Sequence, residues 1–118
     1  MNILILDDDI IRLKAFKEKL IGHNVVTTMT ASEAIKELSN NTFELLFLDH
    51  DLGNKQMEAS GPGTGYEVAL WLSEKEDKQP DIIVIHSYNP VGARNMANLL
   101  PRAKIIPGIW TYPQIIKE

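Results

Sequence analysis

The chain has 118 residues, of which 44% are hydrophobic and 24% are charged, and its formal net charge is −4. These values are typical of one ordinary globular domain spanning residues 1–118. The acidic balance and the lack of a Lys/Arg stripe argue against a nucleic-acid-binding surface. The absence of cysteine excludes disulfides, zinc–thiolate sites and a thiol nucleophile, and it suits the cytoplasm. No apolar stretch is long enough for a membrane span, and no basic region precedes the first aliphatic run as in a signal peptide.

The N-terminal part of the sequence predicts a strand followed by a helix. Residues 2–6 are mostly aliphatic, as in a strand that is buried on both faces of a parallel sheet. Asp9 can cap a helix that runs from about Ile10 to Ile21, and Gly22 is placed to end it. The helical spacing predicts a buried face made of Ile10, Leu13, Phe16 and Leu20.

The next elements are a short strand, a second helix and a third strand. Residues 24–28 are rich in β-branched side chains and predict a strand near the edge of the sheet. Thr30 and Glu33 have the spacing of a capping box, which opens a helix that stops near residues 40–41. Residues 44–48 are again largely aliphatic and predict a third strand, buried in the sheet.

A long irregular segment, residues 53–65, separates the third strand from the next helix. Its length is typical of a functional or disordered loop. Thr64 and Glu67 predict a second capping box, for a helix that reaches about Glu76. Residues 81–85 form another continuous aliphatic run and predict the fourth strand.

The last predicted elements are a helix and a short strand. Asn89 and Pro90 are a good N-cap and N1 pair for the helix, and Pro101 is placed to end it. Residues 104–106 predict the fifth strand. Residues 107–118 contain two prolines and a glycine, so they are predicted to be irregular, with a last helix that is short or absent.

Strands that alternate with helices predict an α/β fold. We expect a flavodoxin-like three-layer sandwich with a five-stranded parallel sheet in the order 2-1-3-4-5 and right-handed crossovers. In such sheets ligands bind beyond the carboxyl ends of the strands, at the switch point between the first and third strands. The polar residues that follow these two strands are Asp7, Asp8, Asp9, Asp49, His50 and Asp51.

The acidic residues at this edge predict a divalent metal site. Carboxylates that lie close together raise one another's pKa unless a cation lies between them. Asp7, Asp8 and Asp49 offer the oxygen ligands that suit Mg2+, or Mn2+, and such an ion retains coordination positions for a phosphoryl group. Asp9 fits the helix cap better. Asp49 has two possible roles, as a metal ligand or as a nucleophile.

Further polar residues follow the third and fourth strands. The hydroxyl of Ser87 either reaches a phosphoryl oxygen or makes a local turn hydrogen bond. His50 and His86 are either structural polar residues or an acid, a base or a metal ligand. Because neighbours in a strand face opposite sides, Asp49 and His50 share one small site only if the strand has already ended.

Two weaker signals concern phosphate binding. The stretch Gly61–Gly65 leads into a helix N-terminus, where free N–H groups and the helix dipole favour anions. It matches neither a Walker loop nor a dinucleotide fingerprint, so a flexible insertion is the alternative. Arg12 and Arg94 lie near the starts of helices at the same edge, where either could bind a phosphate. We predict that each is instead a solvated surface residue.

Three motifs at the strand ends form a family pattern: Leu6-Asp7-Asp8, Leu48-Asp49 and Ser87. The sequence resembles the receiver domains of two-component response regulators in these motifs, and the resemblance covers nearly the whole chain. The resemblance implies that Asp7 and Asp8 bind Mg2+ and that Asp49 accepts a phosphoryl group from a histidine kinase. Receivers carry Lys-Pro at the end of the fifth strand, whereas here Lys104 begins that strand. This departure, the long loop and the shortened C-terminal helix argue against ordinary phosphate signalling.

A further set of residues extends the pattern: Arg12, Leu48-Asp49-His50-Asp51-Leu52, Gly63-Thr64-Gly65, His86-Ser87-Tyr88-Asn89, Gly92, Ala93 and Met96. It resembles a variant branch, the cyclic-phosphate processing receiver domains (cREC), which are proposed to act on cyclic phosphate bonds. The resemblance implies a metal-dependent phosphoesterase that processes a cyclic phosphate or cyclic nucleotide. Its candidate catalytic residues are Asp49, His50, His86 and Ser87.

In this hypothesis Mg2+ or Mn2+ is held by Asp7, Asp8 and Asp49. Phosphate oxygens are contacted by Ser87, Asn89, Thr64 and Arg12. The partner is a phosphorylated or cyclic-phosphate small molecule, and a nucleic acid is expected only as a cyclic-phosphate end. The alternative is a signalling receiver that a histidine kinase phosphorylates on Asp49 in a phosphorelay. A third reading is a module that binds a phosphorylated ligand without turnover.

Overall fold

The computed structural model describes residues 1–53 and 57–106, and these residues form an α/β domain. Its strands are β1 Asn2–Leu6, β2 Asn24–Thr28, β3 Leu45–Leu48, β4 Ile82–Ile85 and β5 Lys104–Ile105. Its α-helices are α1 Ile10–Lys19, α2 Ala31–Asn40, α3 Gly65–Ser73 and α4 Pro90–Leu99. The predicted irregular tail and the short or absent last helix fall on residues 107–118, which lie outside this description.

The five strands form one parallel sheet in the order β2-β1-β3-β4-β5, which confirms the predicted fold class and strand order. The central strands end at the same level, because Leu6 pairs with Leu48 and Leu48 pairs with Ile85. The next residues of these three strands therefore meet at one edge of the sheet. This is the edge at which a parallel α/β sheet binds its ligands.

The two faces of the sheet are covered by different helices. Alternate β1 residues such as Leu4 and Leu6 pack with side chains of α2, α3 and α4. The intervening residues Ile3 and Ile5 pack with α1. The buried residues of α1 are Leu13 and Phe16, followed by Leu20 just after the helix. In the described residues no helix is long and apolar enough to cross a membrane.

The buried face predicted for α1 is wrong at its first residue. Ile10 is 71% exposed, because α1 begins beyond the carboxyl edge of the sheet and its first turn has no strand beneath it. The Asp9 cap is confirmed, since its carboxylate accepts hydrogen bonds from the backbone N–H groups of Ile11 and Arg12. The helix start thus stands above the sheet edge with its apolar side chains exposed.

The two predicted capping boxes have different outcomes. The box of Thr30 and Glu33 is complete and opens α2. Thr64 caps α3 by accepting a hydrogen bond from the Tyr66 N–H, but Glu67 accepts instead from the Gly63 N–H. The prediction of Thr64 as the cap is confirmed, but the second box is wrong in both halves, because Thr64 accepts from Tyr66 and not from the Glu67 N–H, and Glu67 accepts from Gly63 and not from the Thr64 N–H.

Candidate functional site

The strand ends open onto a pocket of about 710 Å³ at the carboxyl edge of the sheet. Such a volume lies in the range of small-molecule binding sites. Its polar lining consists of Asp8, Asp9, Arg12, Asp49, Asp51 and Ser87. The pocket therefore lies where the sequence predicts the ligand site, and most of its polar groups are carboxylates.

Strand alternation explains which side chains meet beneath this pocket. Ile5, Phe47 and Val84 are paired neighbours on β1, β3 and β4, and all three face α1. The residues two positions further along these strands are Asp7, Asp49 and His86, so we expect them on the same side. Each offers a ligand atom, and these atoms all lie within 4.8 Å of one another.

Asp7 is fully buried and holds four hydrogen bonds. Its Oδ2 accepts from Arg12 Nε at 2.8 Å and from His86 Nε2 at 3.0 Å. Its Oδ1 accepts from Arg12 Nη2 and the Asp9 N–H, each at 2.9 Å. Burial raises the pKa of Asp7, but the hydrogen bonds from His86 and Arg12 outweigh it and lower the pKa to about 2. We call Asp7, Arg12 and His86 the floor network.

Arg12 supplies a positive charge to the acidic cluster. Besides the ion pair with Asp7, its Nη2 lies 3.5 Å from Asp49 Oδ2 and its Nη1 lies 3.4 Å from Asp9 Oδ2. The hydrogen bonds to Asp7 hold the pKa of the guanidinium above its usual value. The solvated surface position predicted for Arg12 is wrong, because α1 turns this side chain back over the end of β1. Arg94 is exposed, as predicted.

The sequence places Lys104 at the start of the fifth strand and not at its end, and in the structure a different cation lies beside Asp49. Lys104 pairs with Val84 at the start of β5, and its side chain is exposed. The position that follows β5 is occupied by Ile106, which packs against the core. In the described residues, the guanidinium of Arg12 is the cation that reaches Asp49.

The pKa of Asp49 is shifted in the opposite direction from that of Asp7. Only 5% of the residue is exposed, and its Oδ1 accepts a hydrogen bond from the His50 N–H at 2.9 Å. Burial raises the pKa of Asp49 to about 6, and repulsion from Asp7 adds to this effect. The attraction of His86 and Arg12 lowers the pKa but does not offset burial. A further cation at this point would stabilise the charged carboxylate.

The carboxylates of Asp7, Asp8 and Asp49 suit a hard divalent cation, but they differ in how many oxygen lone pairs remain for an ion. A carboxylate has about four lone-pair positions, and all those of Asp7 are taken by Arg12, His86 and the Asp9 N–H. Asp8 and Asp49 line the pocket directly. The predicted set of Asp7, Asp8 and Asp49 is thus brought to one place, and Asp8 and Asp49 are the two that face the open space.

His50 lies on the opposite side of the sheet edge from His86, as strand alternation predicts. It is fully buried, and its Nδ1 lies 2.7 Å from Asp51 Oδ1 while its Nε2 lies 2.9 Å from Ser60 Oγ. Its ring packs against Gly92 of α4, where an added Cβ would lie 2.5 Å from the ring. Glycine is therefore needed at position 92 for the ring to fit.

The side chain of Asn89 joins His50 to the loop that follows β3. Its Nδ2 donates to Asp51 Oδ1 and to the Glu58 carbonyl, each at 3.0 Å. Burial raises the pKa of Asp51, but the hydrogen bonds from His50 and Asn89 outweigh it, so the net shift is downward. We call His50, Asp51, Ser60 and Asn89 the wall network, because they fasten the loop that forms one wall of the pocket.

The four predicted phosphate contacts divide between the pocket and the wall. Ser87 and Arg12 line the pocket. The amide of Asn89 is occupied in the wall network, and the hydroxyl of Thr64 donates to the Gly61 carbonyl and caps α3. The structure therefore does not bring Asn89 and Thr64 to the same surface as Ser87. The role of Ser60 could not be predicted, since nothing in the loop sequence distinguishes this residue.

Comparison with solved structures gives receiver domains as neighbours. A CheY-like response regulator receiver domain protein from Methanospirillum hungatei superposes with a TM-score of 0.72 at 23% identity, over 98% of this chain and 90% of that one. A Francisella receiver domain gives 0.69 at 15% identity, over 98% and 93%. A Burkholderia pseudomallei response regulator with a phosphorylated aspartic acid gives 0.65 at 20%, over 98% and 64%. At these identities the likeness establishes the fold.

The family assignment comes from the sequence. No curated protein matches this chain. The sequence model of the cyclic-phosphate processing receiver domain matches residues 2–102, which include every strand and helix described above except β5. This match confirms the predicted resemblance. The chain belongs to the family of cyclic-phosphate processing receiver domains.

Proposed function

We propose that this chain is a divalent-metal-dependent phosphoesterase that opens a cyclic phosphate. The observation that carries the proposal is the placing of Asp8, Asp49 and Ser87 in one pocket above the floor network. A pocket of carboxylates binds a phosphate only when a cation offsets their charge. The family description agrees with a cyclic-phosphate ligand.

The residues that would hold Mg2+ or Mn2+ are Asp8 and Asp49, with Asp7 adding its charge from the floor. When bound, such an ion polarises phosphoryl oxygens and lowers the pKa of a coordinated water. The contribution of Asp7 is to fix the position of Arg12, whose Nη2 then lies 3.5 Å from Asp49. Arg12 can present its remaining N–H groups to a phosphate oxygen, because a guanidinium has five donors.

Ser87 is the hydroxyl that the pocket offers to a phosphate. It follows β4, and its Oγ accepts a hydrogen bond from the Asn89 N–H at 3.1 Å. This bond uses a lone pair and leaves the O–H group to donate to a phosphoryl oxygen. Asn89 thus acts on the phosphate through Ser87, by orienting its hydroxyl.

Proton transfer by His50 or His86 remains a prediction, and in this arrangement each ring acts through a carboxylate. Both rings are buried. His86 holds Asp7 at 3.0 Å, and His50 holds Asp51 at 2.7 Å. Each histidine therefore positions an aspartate of the site, in the way that a hydrogen-bonded partner orients a catalytic group.

The test is hydrolysis of a panel of cyclic mononucleotides, cyclic dinucleotides and cyclic-phosphate ends with Mg2+ or Mn2+. We expect turnover, and we expect Asp49→Asn to lower kcat/KM by about 100-fold or more. The matched control is Asp81→Asn, which changes an exposed aspartate at the far end of β4. Metal binding by the wild type without turnover of any substrate would contradict the proposal.

A second candidate function is a receiver that is phosphorylated on Asp49, with a histidine kinase as its partner. It is favoured by the position of Asp49 at the end of β3, with Ser87 in the same pocket, and by the receiver fold. In this case incubation with acetyl phosphate and Mg2+ should give a hydroxylamine-labile adduct that Asp49→Asn prevents. Absence of the adduct, under conditions in which a known receiver is labelled, would reject this function.

A further inference from the structure

The mouth of the pocket gathers exposed apolar side chains. In the described residues ten large apolar side chains are exposed, and half of them line this one opening. They are Ile10, Ile11, Met29, Met57 and Tyr88. Single exposed apolar residues need no explanation, whereas a concentration around one opening indicates a binding surface. We call these five residues the rim.

The composition of the rim favours an aromatic group as its occupant. Tyr88 is 55% exposed and Met57 is 65% exposed. A tyrosine ring offers a flat face for stacking, and the thioethers of Met29 and Met57 make favourable contacts with aromatic rings. An aromatic group placed against the rim would lie at the mouth of the pocket whose inner lining includes Asp49 and Ser87.

The charge of the described residues around the rim favours a ligand with one phosphate over a ligand with a row of phosphates. Arg12 is the one basic residue in the described lining of the pocket, and its charge is already shared by Asp7 and Asp49. An adjacent pocket of about 490 Å³ shares Asp8, adds two glutamates and has no lysine or arginine among its described lining residues. A polynucleotide needs cationic contacts along its backbone, and among the described lining residues of the two pockets Arg12 is the one cation.

We propose that the rim binds the base of a mononucleotide whose single phosphate lies among the carboxylates of the pocket. The proposal rests on the proposed function for the phosphate end, and it adds the substrate class and the residues that select it. Tyr88 is the main specificity residue, because it combines exposure with an aromatic face. A mononucleotide is thereby distinguished both from a base-free phosphate and from an RNA end.

The experiment is calorimetric titration of the whole chain with Mg2+ and three probes. These are adenosine 5′-monophosphate, ribose 5-phosphate, and a 5′-phosphorylated oligonucleotide of four adenosines. We expect the mononucleotide to bind about tenfold more tightly than ribose 5-phosphate, since base–aromatic stacking contributes at this level. The oligonucleotide should bind more weakly than the mononucleotide, and this difference should shrink at high salt.

Variants connect this preference to the rim. Tyr88→Ala should reduce the tenfold preference to near equality, and Tyr88→Phe should retain it because the ring remains. The control is Leu70→Ala, which removes an exposed apolar side chain from α3. Thermal unfolding of each variant verifies that it is folded, since substitutions at exposed positions have small effects on stability.

Each outcome decides the proposal. Equal affinity for the mononucleotide and ribose 5-phosphate would overturn it, and so would a preference for the oligonucleotide. Binding of none of the three probes would also overturn it. A dimer in sedimentation that Tyr88→Ala dissociates would assign the rim to a second copy of the chain instead. The two proposals can fail separately. If base-free cyclic phosphates are turned over but the base adds no affinity, the rim proposal fails and the phosphoesterase proposal stands. If the base adds affinity but no cyclic phosphate is turned over, the phosphoesterase proposal fails and the rim proposal stands.

Discussion

The floor and wall networks each pair a histidine with an aspartate, and they stabilise different parts of the pocket. His86 faces α1 and packs against Phe16 with ring centroids 5.2 Å apart, while it holds Asp7. His50 faces α4 and holds the loop through Asp51 and Ser60. The floor balances buried charge within the sheet and α1, whereas the wall fastens an irregular segment. A histidine–aspartate pair thus stabilises a buried charge in the floor network and holds the backbone of a loop in the wall network.

Removing a charge should lower the free energy of unfolding more in the floor network than in the wall network. In Arg12→Met, Asp7 and Asp49 lose the cation between them, so we expect a loss of about 2 to 4 kcal/mol in the free energy of unfolding at neutral pH. Urea denaturation in metal-free buffer measures it, and Mg2+ should restore part of the loss. Arg94→Met, at an exposed arginine, is the control. Equal stability of the two variants would show that the floor does not depend on Arg12.

Asp49 should oppose folding at neutral pH when no metal is bound. Its pKa is raised to about 6 from 3.8, so the protonated form stabilises the fold below pH 3.8 and this contribution is lost as the pH rises through about 6. Asp49→Asn should therefore raise the free energy of unfolding by about 1 to 3 kcal/mol at pH 7 to 8. The gain should vanish near pH 4, and a gain that is independent of pH would contradict this explanation.

Asp7 gives the opposite pH dependence. Its pKa is lowered to about 2, so its contribution is present above pH 3.8 and is lost as the pH falls toward 2. Wild-type stability in metal-free buffer should consequently pass through a maximum between the ranges in which Asp7 and Asp49 titrate. Chemical denaturation at a series of pH values measures this profile.

The wall should respond to crowding with a smaller loss that is confined to the loop. Gly92→Ala places a Cβ 2.5 Å from the His50 ring, so we expect a loss of about 1 to 2 kcal/mol after the helix-propensity gain of alanine. Hydrogen exchange should increase at residues 57–61. Gly61→Ala is the matched control, because a Cβ there meets nothing within 4 Å. Unchanged exchange in Gly92→Ala would show that His50 does not hold the loop.

The fold and the location of the site could be predicted because they depend on short-range patterns. Aliphatic runs and caps define the elements, and the alternation of strand residues places Asp7, Asp49 and His86 on one side. The identity of each partner could not be predicted, since it depends on side-chain directions. Arg12 is five residues from Asp7 in the sequence, and the hydrogen bonds between them depend on how α1 follows β1 in the folded chain.

The loop was the least predictable part of the site. Residues 57–61 have no hydrophobic period from which a register could be derived, so nothing in the sequence pairs Ser60 with His50. The exposed position of Ile10 has a related cause. Helical spacing predicts which residues share a face, but it does not state where the sheet beneath that face ends. Both the pairing of Ser60 with His50 and the exposure of Ile10 depend on the tertiary structure.

Arg12 and Asp7 form a bidentate ion pair. The guanidinium therefore competes with any bound cation for the oxygens of the carboxylates. A divalent cation that draws Asp7 or Asp49 toward itself weakens the hold on Arg12, and a released Arg12 is a ready donor to a phosphate oxygen. Linkage requires the converse as well, so phosphate that binds Arg12 raises the affinity for the cation by the same factor. The two ligands should therefore bind cooperatively, with the arginine side chain as the exchanged group.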